Sequence, residues 1–145
     1  MKTFVIDASV AIKWIFDEPG AAEALKIRHG AKLVAPELFL AECANILWKK
    51  VERNELSPEE ATFAAQIFEI VDVELLGHRQ LIAEAVRIAV ELSHPVYDCL
   101  YIAAATSRRI AFVTADQRLL RRVAAVKDEA LGAAVVSLSA AATLL

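Results

Sequence analysis

The stretch Phe4-Val5-Ile6-Asp7-Ala8-Ser9 places a carboxylate directly after a short apolar run. The apolar residues predict a buried strand that ends where the polar group begins. An isolated carboxylate avoids apolar surroundings unless it is paired, hydrogen-bonded or bound to a metal, so Asp7 needs a partner. Asp116 has a similar position after Phe112-Val113-Thr114-Ala115. Because open α/β sheets keep their binding crevice at the carboxyl ends of the strands, both aspartates are candidates for a functional site.

Five such β-rich runs alternate with helical patterns along the chain. This alternation predicts an α/β fold with a mainly parallel sheet that is covered on both faces by helices. The sequence Ser57-Pro58-Glu59-Glu60 is a capping box with proline at the first helical position. Strands are expected over residues 3–6, 32–35, 72–76, 110–114 and 134–138. Helices are expected over residues 9–16, 21–29, 37–53, 58–70, 78–92, 98–108 and 116–125, with a further helix at the C-terminus.

The composition limits the classes of protein to which the chain can belong. Its 145 residues fit a single domain, and a hydrophobic fraction of 57% excludes a disordered chain. The four glycines lie too far apart to form a phosphate-binding glycine loop. Neither a signal peptide nor an apolar run long enough to span a bilayer is recognisable, so we expect a cytoplasmic protein without a membrane contact.

Cysteine and histidine are unsuitable as metal ligands in this chain. Cys43 and Cys99 form no paired motif and are predicted to be small core residues. The three histidines occur singly, without the spacing that places two imidazoles on one ion. Any metal is therefore expected to be bound by oxygen.

Two further acids extend the candidate site. Asp98 lies among apolar residues, and Glu42 lies on one helical face with Asn45 and Lys49 at the spacing i, i+3, i+7. That polar stripe could face either water or a charged cleft.

Each aspartate also has a purely structural explanation. Asp7, Asp98 and Asp116 all lie near the predicted start of a helix, where aspartate is a preferred N-cap. Ser9 and Thr114 lie two residues from Asp7 and Asp116, so their hydroxyls could orient a carboxylate, although Ser9 could also be an ordinary cap. The sequence leaves these alternatives open, because it does not show whether the first and fourth strands are neighbours.

The chemistry follows if the four acids meet. Several negative charges in close proximity are tolerable only with a bound cation or with protonation. Oxygen ligands without histidine or cysteine select a hard cation, Mg²⁺ or Mn²⁺. The corresponding reaction is hydrolysis of a phosphodiester bond.

The chain resembles the PIN-domain nucleases, and within them the VapC toxins of prokaryotic toxin–antitoxin pairs. Four motifs carry the resemblance, and they occur in order over essentially the whole chain. They are Phe4-Val5-Ile6-Asp7-Ala8-Ser9-Val10-Ala11-Ile12-Lys13-Trp14, Glu42 with Asn45 and Trp48-Lys49-Lys50, Tyr97-Asp98-Cys99-Leu100-Tyr101-Ile102-Ala103, and Val113-Thr114-Ala115-Asp116-Gln117-Arg118-Leu119-Leu120.

The resemblance implies a three-layer fold with a five-stranded parallel sheet of order 3-2-1-4-5. It further implies an acidic site for Mg²⁺ or Mn²⁺, with supporting hydroxyls and a weaker amide neighbour. The acids are Asp7, Glu42, Asp98 and Asp116, the hydroxyls are those of Ser9 and Thr114, and the amide is that of Asn45. Gln117, Leu119 and Leu120 stand where some members carry an additional acid, which argues against a second tightly held ion.

The same resemblance implies an activity and partners. VapC-like enzymes are metal-dependent endoribonucleases that cut structured RNA and block translation. They commonly form homodimers, and a VapB-like antitoxin holds them inactive and makes the contact with operator DNA. Trp14, Ile15 and Phe16 are candidates for such a partner surface, with core packing as the alternative.

Two other functions are compatible with the fold. The domain could be a catalytically silent scaffold that binds an antitoxin and acts in operator-DNA autoregulation. The presence of all four acids argues against that role, because a site without catalytic activity gains nothing from holding like charges close together. A phosphoryl-transfer enzyme with an aspartyl-phosphate usually has a second acid two residues after the first, and Asp7-Ala8-Ser9 lacks it.

Overall fold

Five parallel strands form one sheet of order β3-β2-β1-β4-β5 in the computed structural model, which describes residues 1–145. The prediction of a parallel sheet in this order is confirmed. Val5 at the centre of the sheet pairs with Val34 on one side and with Phe112 on the other. The strands are β1 (Lys2–Ile6), β2 (Ala31–Pro36), β3 (Glu74–Leu76), β4 (Ala111–Thr114) and β5 (Val135–Ser137).

Helices connect all of the strands. A 3-10 turn (Ile12–Trp14) follows the first helix. Ser57 caps the fourth helix by the reciprocal hydrogen bonds with Glu60 that the sequence predicts. The helices are α1 (Ala8–Ala11), α2 (Ala21–Gly30), α3 (Leu38–Glu52), α4 (Pro58–Glu69), α5 (Ile82–Leu92), α6 (Val96–Arg108), α7 (Gln117–Ala124), α8 (Glu129–Ala134) and α9 (Leu138–Ala142).

The helices lie in two layers with the sheet between them. Helix α6 packs across β1, β2 and β4, with α5 and α8 beside it. Right-handed crossovers place α2 and α3 on the opposite face, where both contact β2 and where α9 packs on α2. A continuous core of 37 buried residues fills both interfaces and includes Cys43 and Cys99. The three central strands β1, β2 and β4 are thus largely buried, as their apolar runs predict, whereas the edge strand β3 is mostly exposed.

Three local predictions are wrong in detail. The first predicted helix, over residues 9–16, begins at Ala8 and changes to a 3-10 turn at Ile12. Helix α5 begins four residues later than expected, at Ile82. Helix α8 was not anticipated, because six residues are too few to give a helical period.

None of the helices is both long and apolar enough to cross a bilayer.

Candidate active site

The four predicted acids line one open cleft of about 380 Å³ at the carboxyl edge of the sheet. Asp7 follows β1 directly, and Asp116 lies two residues after β4. Glu42 lies in the second turn of α3, and Asp98 is the third residue of α6. The pairing of β1 with β4 brings the first two acids to adjacent strands, and helices α3 and α6 supply the others.

Two hydroxyl groups hold the Asp7 side chain. Ser9 Oγ donates to Asp7 Oδ1 at 2.5 Å, and Thr114 Oγ1 donates to Oδ2 at 2.6 Å. The backbone N–H of Ala115 donates to Ser9 Oγ at 2.9 Å, and that of Asp116 donates to Thr114 Oγ1 at 3.1 Å. Both hydroxyl hydrogens are therefore directed at the carboxylate, which fixes its orientation.

These contacts distinguish between the alternatives for Asp7 and Ser9. Asp7 occupies the N-cap position of α1, but its side chain makes no capping hydrogen bond. Ser9 lies inside α1 and is not its cap, so that alternative is wrong. The Asp7 side chain is therefore held by hydroxyls within the cleft and does not serve the helix end.

Asp7 is the most strongly perturbed acid of the cleft. Its side chain is buried, and burial is the main reason that its pKa is raised to about 7. The hydrogen bonds from Ser9 and Thr114 oppose this increase, and the charges of Asp98 and Glu42 add to it. Asp7, Glu42 and Asp98 thus lie within electrostatic reach of one another.

Asp116 both caps helix α7 and lines the acid cleft. Its Oδ1 accepts hydrogen bonds from the backbone N–H groups of Arg118 at 2.9 Å and Leu119 at 3.2 Å. It is therefore the N-cap of α7, as one interpretation of the sequence predicted. The cap and the cleft are not exclusive, since these two bonds use a single carboxylate oxygen.

Glu42 is held from the neighbouring helix. Tyr101 Oη donates to Glu42 Oε1 at 2.5 Å, and the Tyr101 ring stacks on Phe112 with a centroid distance of 5.4 Å. Burial raises the pKa of Glu42, the Tyr101 hydrogen bond opposes that increase, and the charge of Asp98 adds to it. The polar stripe of α3 thus faces the acid cleft.

Asp98 is held by a histidine. His94 Nε2 lies 2.6 Å from Asp98 Oδ2, and it donates when the carboxylate is ionised. The suggestion that Asp98 caps its helix is wrong, because Pro95 occupies the N-cap of α6 and Asp98 lies in the first turn. Pro95 fixes the helix start, and this places His94 one turn before Asp98.

His94 and Tyr101 are the residues that sequence reasoning missed at this site. Tyr101 follows Asp98 by three positions on α6, and His94 precedes Asp98 by four, just before the Pro95 cap. That spacing was the available signal for His94. Nothing in the sequence shows that Tyr101 contacts Glu42, 59 positions away.

Two polar neighbours complete the lining. Asn45 and Lys49 lie on the same face of α3 as Glu42 and line the cleft. Neither makes a side-chain hydrogen bond or an ion pair.

The donor set fits a hard divalent cation. The acids that line the cleft offer only carboxylate oxygen, which Mg²⁺ and Mn²⁺ prefer. Burial raises the pKa of both cysteine thiols, that of Cys99 to about 11, so neither is available as a thiolate ligand. No group of three side chains is arranged to hold an ion in this conformation. The four acids therefore share a cleft without converging on one point.

Comparison with protein families gives one match. The family model described as the PIN domain matches residues 4–126, which is most of the chain. That range contains all four acids of the cleft together with Ser9, Asn45 and Thr114. Comparison with curated protein sequences gives no match.

Several solved structures share the fold. PAE2754 from Pyrobaculum aerophilum superposes with a TM-score of 0.69 at 23% identity and covers 99% of this chain and 94% of its own. A toxin–antitoxin complex from Klebsiella pneumoniae gives 0.61 at 15% identity, covering 93% and 97%. VapBC2 from Rickettsia felis, bound to a DNA fragment from its promoter, gives 0.63 at 11% identity, covering 93% and 98%.

Proposed function

We propose that this chain, which belongs to the PIN domain family, is a Mg²⁺- or Mn²⁺-dependent endoribonuclease and the toxin of a VapBC-type toxin–antitoxin module. The observation that carries the proposal is the lining of one cleft by Asp7, Glu42, Asp98 and Asp116. These acids come from four different parts of the chain, and burial together with the charges of Asp98 and Glu42 raises the pKa of Asp7. Such an arrangement costs stability unless a cation compensates it.

The metal would be held by carboxylates of this cleft, drawn from Asp7, Glu42, Asp98 and Asp116. When bound, it would lower the pKa of an attacking water and stabilise charge on the leaving oxygen of the phosphodiester. The chain would contribute the position of each carboxylate, through the Ser9 and Thr114 hydroxyls at Asp7, Tyr101 at Glu42 and His94 at Asp98.

In Glu42 and in Asp98, the neighbouring side chain contacts only one of the two carboxylate oxygens. Tyr101 engages only Oε1 of Glu42, and His94 engages only Oδ2 of Asp98. The second oxygen of each carboxylate is left without a protein donor and is available to a ligand in the cleft. Groups of this kind typically change metal affinity or activity about 10- to 100-fold when they are removed.

A partner surface is part of the proposal. An apolar groove lies between the segment after the 3-10 turn and helix α4, and it is lined by Ile15, Phe16, Leu56, Phe63 and Ile67. The Phe63 side chain is 67% exposed, which is unusual for phenylalanine without a partner. Two of the three predicted surface residues, Ile15 and Phe16, line this groove, whereas Trp14 lies against α2 and donates to the Ala24 carbonyl. We infer that an antitoxin segment binds here, that the toxin forms a homodimer, and that operator DNA is bound only through the antitoxin.

Cleavage of RNA in vitro tests the proposed activity. Purified protein should cut total RNA at internal positions in Mg²⁺ or Mn²⁺ and should not cut it in EDTA. Asp98→Asn should abolish cleavage and growth inhibition, because it removes a cleft carboxylate and keeps the size of the side chain. Asp72→Asn is the matched control, since Asp72 is exposed and lies outside the cleft.

Two results would contradict the proposal. Equal cleavage by wild type and Asp98→Asn would assign the activity to a contaminant. Absence of both cleavage and Mn²⁺-dependent stabilisation would favour the silent scaffold instead.

A further inference from the structure

One cationic side chain lines the acid cleft. Lys49 is the only lysine or arginine among the residues of its wall. It follows Glu42 by seven positions on α3, which is two helical turns, or about 10 Å along the helix axis. The cleft therefore has an acidic end, formed by the four carboxylates, and a basic end at Lys49.

The Lys49 charge has no partner within the protein. Its neighbour Lys50 forms ion pairs with Glu18 at 3.2 Å and with Glu55 at 3.4 Å, and it lies over the Phe16 ring. Lys13 is bound by Glu18 and by the Pro19 carbonyl. Lys49 makes neither an ion pair nor a hydrogen bond. The fold thus immobilises the surrounding lysines and leaves this one available.

The helix dipole explains why a lysine lies at the C-terminal end of α3, but not why Lys49 lies on the face that lines the cleft. Lys49 lies in the last turn of α3, where a cation stabilises the helix by about 0.3 to 1 kcal/mol. Lys50 and Arg53 occupy the same end of the helix and satisfy that requirement equally. The dipole does not select the face that carries Glu42 and Asn45.

We propose that Lys49 binds a backbone phosphate of the RNA next to the one that is hydrolysed. This inference rests on the proposed function and names a substrate-binding residue for it. A polyanion that enters a cleft with four carboxylates is repelled unless cations compensate them. A bound metal ion would do so at the acidic end, and Lys49 would do so about two turns away. A lysine ammonium binds phosphate as a point charge, so the contact requires no particular base.

The salt dependence of RNA binding tests this assignment. In an Asp98→Asn background, which keeps the RNA intact, affinity for a short fluorescein-labelled single-stranded RNA is measured by anisotropy over a series of salt concentrations in Mn²⁺. Lys49→Gln should weaken binding and reduce the slope of log K against log salt by about 0.7, the value for one lost phosphate contact on a single strand. Lys49→Arg should restore the slope.

Lys26→Gln is the matched control. Lys26 is exposed, has no ion pair and lies on α2 away from the cleft, so the same charge is removed at a neutral position. In the active protein, Lys49→Gln should raise KM for cleavage several-fold with little change in kcat, because the contact is made to substrate and transition state alike. Thermal melting of each variant checks that the fold is intact.

The outcomes separate the two proposals. A slope and a KM for Lys49→Gln equal to those of Lys26→Gln would overturn the role of Lys49 while leaving the nuclease intact. A reduced slope in a protein that cuts no RNA would support Lys49 and contradict the proposed activity. Failure of the Asp98→Asn protein to bind RNA at all would overturn the assignment of Lys49.

Discussion

Asp7 shows most clearly how a single residue is adapted to this cleft. Its carboxylate is buried, yet both oxygens accept hydroxyl hydrogen bonds that stabilise the charged form. Burial and the neighbouring acids act in the opposite direction and bring its pKa to about 7. With a pKa near neutral pH, Asp7 can lose its proton when a metal cation binds in its place.

Asp7→Asn should remove a pH dependence of stability. Between pH about 4 and 7 the folded state holds a proton on Asp7 that the unfolded chain has lost, so the free energy of unfolding falls as the pH rises through this window. Asparagine does not ionise and avoids this loss. Urea denaturation in EDTA should find the variant more stable than wild type at pH 8, by on the order of 2 to 4 kcal/mol, and little different at pH 4. Parallel pH profiles for the two proteins would contradict the assignment.

Tyr101 offers a second test at the same scale. Tyr101→Phe keeps the ring that stacks on Phe112 and removes only the hydroxyl that donates to Glu42. We expect activity or Mn²⁺ affinity to fall about 10- to 100-fold and stability to fall by about 1 to 2 kcal/mol. Mn²⁺ titration and urea denaturation measure the two effects. Unchanged Mn²⁺ affinity and activity would show that the hydroxyl serves only the fold.

At the scale of the element, α7 begins with a residue that serves two purposes. Asp116 caps the helix through one oxygen and lines the acid cleft. A helix N-terminus favours a negative charge, so the position at the start of α7 suits a carboxylate.

Two substitutions at Asp116 should separate these purposes. Asparagine caps a helix about as well as aspartate, so Asp116→Asn should keep the stability and lose RNA cleavage. Alanine makes no cap, so Asp116→Ala should lose cleavage and also about 1 kcal/mol of stability. Thermal or urea denaturation beside a cleavage assay distinguishes the pair. Equal stability of the two variants would mean that the cap contributes nothing measurable.

At the scale of the whole molecule, the cleft joins distant parts of the chain. Asp7 and Asp116 are separated by more than a hundred positions, yet they follow strands that pair directly. A ligand bound by all four acids would link β1, α3, α6 and α7 in the folded state only.

Mn²⁺ should therefore stabilise the entire domain. At a concentration 100 times its dissociation constant, the gain in the free energy of unfolding is about 2.7 kcal/mol. The gain should be larger at pH 8 than at pH 5.5, because binding requires the loss of the Asp7 proton. Melting curves with and without Mn²⁺ measure it. A matching gain in Asp7→Asn would place the ion elsewhere.

Sequence alone determined the class of fold and the identity of the acids. Apolar runs alternating with helical periods predict a parallel α/β sheet, and a carboxylate directly after such a run is conspicuous because apolar surroundings penalise its charge. Asp7 and Asp116 could be selected on this ground. The sheet order, and with it the placement of Asp7 and Asp116 on adjacent strands, was implied by the family resemblance and not by periodicity.

Only the tertiary structure decided which groups hold those acids. Periodicity specifies the face of a helix and leaves open what packs against that face, so the stripe at Glu42 was equally compatible with solvent. The contact of Tyr101 with Glu42 and the bond of Thr114 to Asp7 join segments 59 and 107 positions apart. Such contacts are set by how the helices pack on the sheet, and local sequence carries no record of that packing.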